Sequence, residues 1–314
     1  RGVPTRYLDL RSNLDFRNAR RIRNWIQQEG FEIVHGLANR QVANFIWASY
    51  GLTNKVVAYR GTLGHISRWD PTCYIKWLNP RIDMISCVSK AVENDLASHG
   101  IKRTKLKTIY KGHRLSWYEN LDKVRARDQL LNEFRLPDDT FLVGLAGNMR
   151  PVKGADVLLS AMEKTHSHVH AIFIGEVRDE RIPSLAAAPS IKDRVHFTGF
   201  RPNAAELIGG LDLNTAPSTG REGLTKTVIE GMAQSVPTIV TAAGGLPEMV
   251  EDGISGFIIP INDAAKLSDY INELATNEQK RKEMGRAARI FIQENFSLEA
   301  TVKQTKALYE ELIS

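Results

Sequence analysis

Two glutamates eight residues apart, Glu222 and Glu230, flank a glycine and the opening turns of a helical pattern in the run Pro217-Ser-Thr-Gly-Arg-Glu-Gly-Leu-Thr-Lys-Thr-Val-Ile-Glu230. That spacing suits a nucleotide diphosphate held with its sugar at one end and its ribose at the other. The first amides of a helix are unpaired and lie at the positive end of its dipole, so phosphate binds there. Leu224 to Val228 are expected to supply those amides. Glu222, just outside the helix, then reaches a sugar hydroxyl, and Glu230, one to two turns in, accepts from the ribose diol. Taken alone, the pair reads equally well as two solvated glutamates on a surface helix.

The run continues through Gly231-Met-Ala-Gln-Ser-Val-Pro237 to Gly244-Gly245-Leu-Pro-Glu248. As a whole it resembles the signature of the retaining glycosyltransferases of family 4, also called glycosyl transferases group 1, which have the two-domain GT-B fold. The resemblance implies that Glu222, Gly223, Leu224, Thr225, Glu230, Gly244 and Gly245 line a nucleotide-sugar site. Thr225 stands where the family usually has proline. Donor choice is expected to depend on Thr225, Lys226 and the Gly244-Gly245 loop.

The negative charge of a sugar diphosphate must be neutralised, and no Asp-x-Asp metal motif occurs in the chain. The turn Gly147-Asn-Met-Arg150-Pro-Val-Lys153-Gly154, between a strand and a helix, supplies cations instead. It resembles the family's Gly-Arg-x-x-x-x-Lys-Gly turn, whose Arg and Lys bind the diphosphate. Lys153 matches by position. Asn148 occupies the arginine position, and Arg150 follows as a displaced substitute. Gly147 and Asn148 are therefore assigned to the donor with Lys153 and Arg150, and no metal or cofactor is expected.

The segment Lys55-Val-Val-Ala-Tyr-Arg60-Gly-Thr-Leu-Gly64-His65 follows a strand. The family often places a histidine where this chain has Arg60, near the reacting sugar and acceptor. Arg60 is accordingly expected to stabilise departing phosphate or to orient the acceptor, with His65 moved into the histidine's role. A loop histidine is more often structural. In His166-Ser-His168-Val-His170, strand alternation would put three imidazoles on one face. No carboxylate or cysteine completes a metal set, and none is expected. Ser89 in Cys-Val-Ser-Lys-Ala-Val matches a family turn and reads equally well as a helix N-cap.

With 314 residues, 42% hydrophobic and 25% charged, the chain can form two cores. No apolar run approaches the ~18 residues needed to span a bilayer. Cys73 and Cys87 provide no disulfide framework, and a cytoplasmic setting fits best. Residues 1–140 hold 24 Lys and Arg against 14 Asp and Glu, and residues 141–314 hold 18 against 22, a division of +10 and −4. The basic half points to an anionic partner, either the inner face of a membrane or a phosphorylated lipid-linked acceptor, and reads equally well as a merely solvated surface. Dispersed basic residues without a recognition motif argue against nucleic acid.

Periodicity alternates helices with short buried strands, which predicts an α/β protein of two doubly wound parallel sheets. The resemblance makes these two Rossmann-like domains facing a cleft. The expected division is 1–117, an acceptor-side domain; 118–296, a nucleotide-sugar domain; and 297–314, a helix crossing back to the first. The opening Arg1-Gly-Val-Pro-Thr-Arg-Tyr-Leu-Asp-Leu reads as a strand entered mid-domain, and the N-terminus is expected to be truncated relative to the family. The implied activity is retaining, metal-independent transfer of a sugar to a hydroxyl of a cell-surface glycan or lipid-linked acceptor, in lipopolysaccharide or exopolysaccharide synthesis. The alternatives are a catalytically inactive nucleotide-sugar-binding protein or a sugar-nucleotide epimerase or phosphorylase of the same fold. A dehydrogenase is disfavoured, because Gly144-Leu-Ala-Gly147-Asn-Met is not G-x-G-x-x-G.

Overall fold

Helix α1 (Phe16–Glu29) begins where Asp15 accepts from the Asn18 amide and ends where Gly30 turns left-handed, with Ala19, Ile22 and Ile26 forming its buried stripe. It opens an alternating series: β1 (Ile33–Gly36), α2 (Asn39–Ser49), β2 (Lys55–Arg60), α3 (Pro71–Tyr74), β3 (Met84–Cys87), α4 (Lys90–Ser98) and β4 (Leu106–Thr108). The four strands form one parallel sheet in the order β1-β2-β3-β4. Ser89 caps α4 by accepting from the Val92 amide.

The computed structural model describes residues 3–314. Two compact units emerge, one containing the chain up to Tyr110 with Val302–Ser314, the other Lys111–Thr301. The first unit carries 20 Lys and Arg against 10 Asp and Glu and the second 22 against 26, so the +10 and −4 division follows the units themselves.

The second unit runs α5 (Ser116–Glu119), α6 (Lys123–Phe134), β5 (Phe141–Ala146), α7 (Ala155–Met162), β6 (Val169–Ile174), α8 (Ile182–Ala186) and β7 (Val195–Gly199). It continues through α9 (Ala204–Gly209), β8 (Leu213–Ala216), α10 (Lys226–Ala233), β9 (Thr238–Thr241), β10 (Gly256–Ile259), α11 (Ala264–Thr276), α12 (Glu278–Asn295) and the start of α13 (Leu298–Ile313). Its six parallel strands are ordered β10-β9-β8-β5-β6-β7. Strand β5 shows why both faces are covered. Phe141, Val143 and Leu145 join the core under α7 and α11, while Leu142 and Ala146 join the core under α6 and α9.

One expectation is corrected here, and one helix is added. Residues 3–10 form no strand, and Arg1 and Gly2 lie outside the described residues. The carbonyls of Asp9 and Leu10 accept from the side chains of Asn18 and Arg40 instead of a neighbouring strand. Helix α6 went unassigned in the sequence because its Lys, Arg, Asp and Glu residues hide a narrow stripe of Ala126, Leu130 and Leu131.

The later part of α13 packs within the first unit, where Leu308, 1% exposed, meets Val57, Met84 and Ile109. Tyr309 bonds His35 there at 2.7 Å. Leu308→Ala should therefore destabilise that unit by roughly 2–5 kcal/mol through lost burial and a cavity. Urea unfolding followed by circular dichroism will show a lower midpoint; an unchanged midpoint would mean that α13 adds nothing to this core.

Candidate functional site

In the six-stranded sheet the chain proceeds outward from β5 through β6 and β7 on one side, and from β8 through β9 and β10 on the other. The reversal falls between β5 and β8, and in open α/β sheets ligands bind outside the carboxyl ends of the strands at such a switch point. Residues 147–154 follow β5, residues 217–225 follow β8, and residues 242–245 follow the adjacent β9.

Backbone contacts lock these loops together. Gly154 has φ of +69°, and a Cβ there would lie 1.9 Å from the Pro217 carbonyl oxygen. Gly244 has φ of +56°, and its Cβ would lie 2.0 Å from the Glu222 carbonyl oxygen. The Thr219 amide donates to Val152 O and the Gly245 amide to Glu222 O, both at 2.9 Å.

The lock brings Lys153 to Glu222, with Nζ 2.8 Å from Oε1. Thr225 donates its hydroxyl to the other carboxylate oxygen at 3.2 Å. Thr225 also precedes α10, and Glu230 on that helix is only 4% exposed while bonded to Lys226 at 2.7 Å. Burying a charged carboxylate without a partner is costly, and Lys226 supplies that partner. Asn148 and Arg150 lie exposed on either side of the fully buried Met149. Of the five amides expected to face a phosphate, two are engaged elsewhere: Thr225 N donates to Met249 Sδ at 3.4 Å and Val228 N to Thr225 O at 3.2 Å.

A neighbouring pair went unread in the sequence. His113 Nδ1 lies 2.8 Å from the hydroxyl of buried Tyr118. Burial and the Glu230 charge raise the Tyr118 pKa, while burial, Lys226 and Lys111 push His113 down to about 4. No local motif links these residues to Glu230, so nothing short of the fold could have found them.

Arg60 and His65 belong to the first unit, where Arg60 holds the turn that carries His65. It is 5% exposed, donates through Nη2 to the Gly64 carbonyl and lies over the Trp77 ring, 4.7 Å from its centroid. Burial lowers its pKa, and Asp95 opposes that shift. Asp95 also accepts from the Gly64 amide at 3.0 Å. Arg60 thus clamps the turn at Gly64 and His65, both left-handed at φ +73° and +59°. His65 is exposed, and its carbonyl accepts weakly from Cys73 Sγ at 3.8 Å.

The three-histidine face does not form, because β6 starts only at Val169 and leaves His166 and His168 in the preceding turn. His170 Nδ1 instead lies 3.0 Å from His196 Nε2, and His196 stacks on Phe134. Among the described residues no three His, Cys, Asp or Glu side chains are grouped to hold a metal ion. Nor is any described helix long and apolar enough to cross a membrane.

Two parallel-sheet units of Rossmann type, the second with its loops converging at the switch point, define the GT-B class of fold. The chain belongs to the glycosyl transferases group 1 family, whose description matches residues 126–291, and the Glycosyltransferase Family 4 description matches residues 1–117. It is 27% identical over 234 residues to N-acetyl-alpha-D-glucosaminyl L-malate synthase of Bacillus anthracis, an alignment covering 74% of this chain and 60% of that protein. The chain thus spans about three fifths of the length of such curated relatives. A glycosyltransferase from Rickettsia africae superposes with a TM-score of 0.86 at 21% identity, covering 98% of this chain and 84% of that one. Anabaena HepE, solved in complex with UDP, superposes with a TM-score of 0.84 at 19% identity, covering 93% and 82%.

Burial and His170 push the His196 pKa down to about 4 from 6.5. The unfolded chain therefore binds the extra proton first, and this residue's stabilising effect, complete above pH 6.5, is lost as pH falls toward 4. Melting temperatures across that window should fall less steeply for His196→Gln than for the wild type. Parallel curves would show that the His170–His196 pair does not contribute.

Proposed function

We propose that the chain transfers a sugar, with retention of anomeric configuration, from a UDP- or GDP-linked donor to a hydroxyl of a cell-surface glycan or lipid-linked acceptor in lipopolysaccharide or exopolysaccharide synthesis. The observation that carries this reading is the Lys153–Glu222 pair, held at the switch point with Glu230 buried on the adjoining helix. Membership of a glycosyltransferase family supports the reaction class. HepE's complex with UDP supports a nucleotide diphosphate as the group bound, and the name of the Bacillus relative supports transfer of a hexosaminyl group.

In this reading Glu222 contacts the sugar, Glu230 accepts from the ribose diol, and Lys153, assisted by Arg150, stabilises the charge that grows on the leaving diphosphate. The backbone of Gly147, Asn148, Gly223, Leu224, Gly244 and Gly245 cradles the donor. The departing phosphate oxygen takes the acceptor proton on the face it leaves, so no protein base is needed. Rate enhancement then comes from positioning and from electrostatic stabilisation prepared in advance. Neither metal nor cofactor has a part in this scheme. The first unit receives the acceptor, and its net positive charge seats it against the anionic inner face of the cell membrane.

Lys153→Ala should lower kcat more than donor affinity, because the cation counts most when the leaving charge is greatest. Turnover of sugar nucleotides should survive EDTA; activity abolished by EDTA and restored by magnesium or manganese would overturn the metal-independent scheme. Glu230→Gln should weaken UDP and GDP binding by roughly 1.5–3 kcal/mol, the worth of a charge-assisted hydrogen bond. Unchanged calorimetric affinity would remove Glu230 from the ribose. Tight nucleotide binding without turnover in the wild type would instead identify a binding protein.

A further inference from the structure

Helix α2 is buried at every position from Val42 to Ser49 except Phe45, which is partly covered, and Trp47, which is 39% exposed. Phe16, 64% exposed at the start of α1, meets the Trp47 ring edge-on at 5.7 Å between centroids. Tyr50, 43% exposed at the end of α2, also lies 5.7 Å from Trp47, ring centroid to centroid. The three rings form one cluster at the surface of the first unit, with Trp47 in contact with both others. Arg23 fixes one side of the cluster by donating to the carbonyls of Ala48 and Tyr50 at 3.1 and 2.6 Å, and the Tyr50 hydroxyl reaches Asn79 at 3.0 Å.

Arg17, Arg20 and Arg21 stand exposed on the same helix as Phe16, with Arg20 one turn beyond it, and none forms a salt bridge among the described residues. The nearby carboxylate of Asp15 is already engaged by the amide and side chain of Asn18. Arg23 does not belong with these free charges, because its guanidinium is spent on backbone carbonyls. The surface therefore combines half-exposed Trp and Tyr rings, whose apolar bodies and polar tips favour a membrane interface, with unpaired guanidinium groups complementary to anionic lipid.

We infer that Phe16, Trp47 and Tyr50, flanked by Arg17, Arg20 and Arg21, are the anchor by which the first unit inserts into the headgroup region of an anionic bilayer. This rests on the reading above that the first unit docks on a membrane, and it specifies which surface does so. The arginines supply long-range attraction that salt weakens, and the rings supply short-range insertion that salt does not.

The test uses the whole chain with vesicles of phosphatidylcholine alone or mixed with phosphatidylglycerol, with and without brominated acyl chains that quench inserted tryptophan. Wild-type protein should sediment with the mixed vesicles and lose fluorescence to the brominated ones. Trp47→Phe should keep binding but lose much of the quenching, whereas Trp69→Phe, a change at a side chain 95% exposed outside the cluster, should retain it. Phe16→Ser with Trp47→Ser should weaken binding at least tenfold at all salt concentrations. Replacing the three arginines by glutamate should weaken it by about a hundredfold or more at low salt, with the difference shrinking as salt rises. If the wild type binds neither vesicle, or binds only nucleic acid, the membrane reading itself falls. If it binds mixed vesicles while quenching and affinity ignore Trp47 and Phe16, membrane docking stands and this anchor is wrong.

Discussion

Everything at the candidate site depends on backbone passing backbone where β5, β8 and β9 end. At Gly154 the chain comes so close to Pro217, and at Gly244 so close to Glu222, that a single added carbon would overlap a carbonyl oxygen. Both glycines are also left-handed, a conformation that costs other residues free energy. With the loops pressed together, Lys153 and Glu222 meet although they lie on different loops and 69 residues apart in the chain. A parallel sheet makes this economical, since adjacent strands deliver their carboxyl ends to one edge whatever the order in which they were made.

The two units spend buried charge differently. In the second, buried Glu230 bonds exposed Lys226 at the opening of a helix, so one end of the pair remains within reach of solvent and of a polar ligand. In the first, Arg60 is turned inward onto a carbonyl and an aromatic ring, and its Nε has no partner among the described residues. An arginine so placed shapes the turn beyond it. Arg17, Arg20 and Arg21 of α1, by contrast, stand exposed.

Local sequence determined a great deal. The buried strands Phe141–Ala146 and Gly256–Ile259 are short apolar runs with polar residues beside them, a pattern that leaves few alternatives. Asp15 and Ser89 announced helix starts through their own short side chains. The spacing of Glu222 and Glu230 was local too, since both lie on one continuous turn and helix. Charge also divided between the units as the two halves of the sequence indicated.

Tertiary structure alone decided what distant segments do to one another. It joined Lys153 to Glu222, placed His113 and Tyr118 beside the helix of Glu230, and paired His170 with His196 rather than with the histidines next to it in the chain. It also turned Arg60 inward, gave the Thr225 amide to Met249, and put Trp47 outside on a helix that is otherwise mostly covered. Side-chain periodicity tells which face of one element is apolar, but the partner that covers that face is chosen by sheet order and close packing. Those depend on contacts between residues far apart in sequence, which no local pattern encodes.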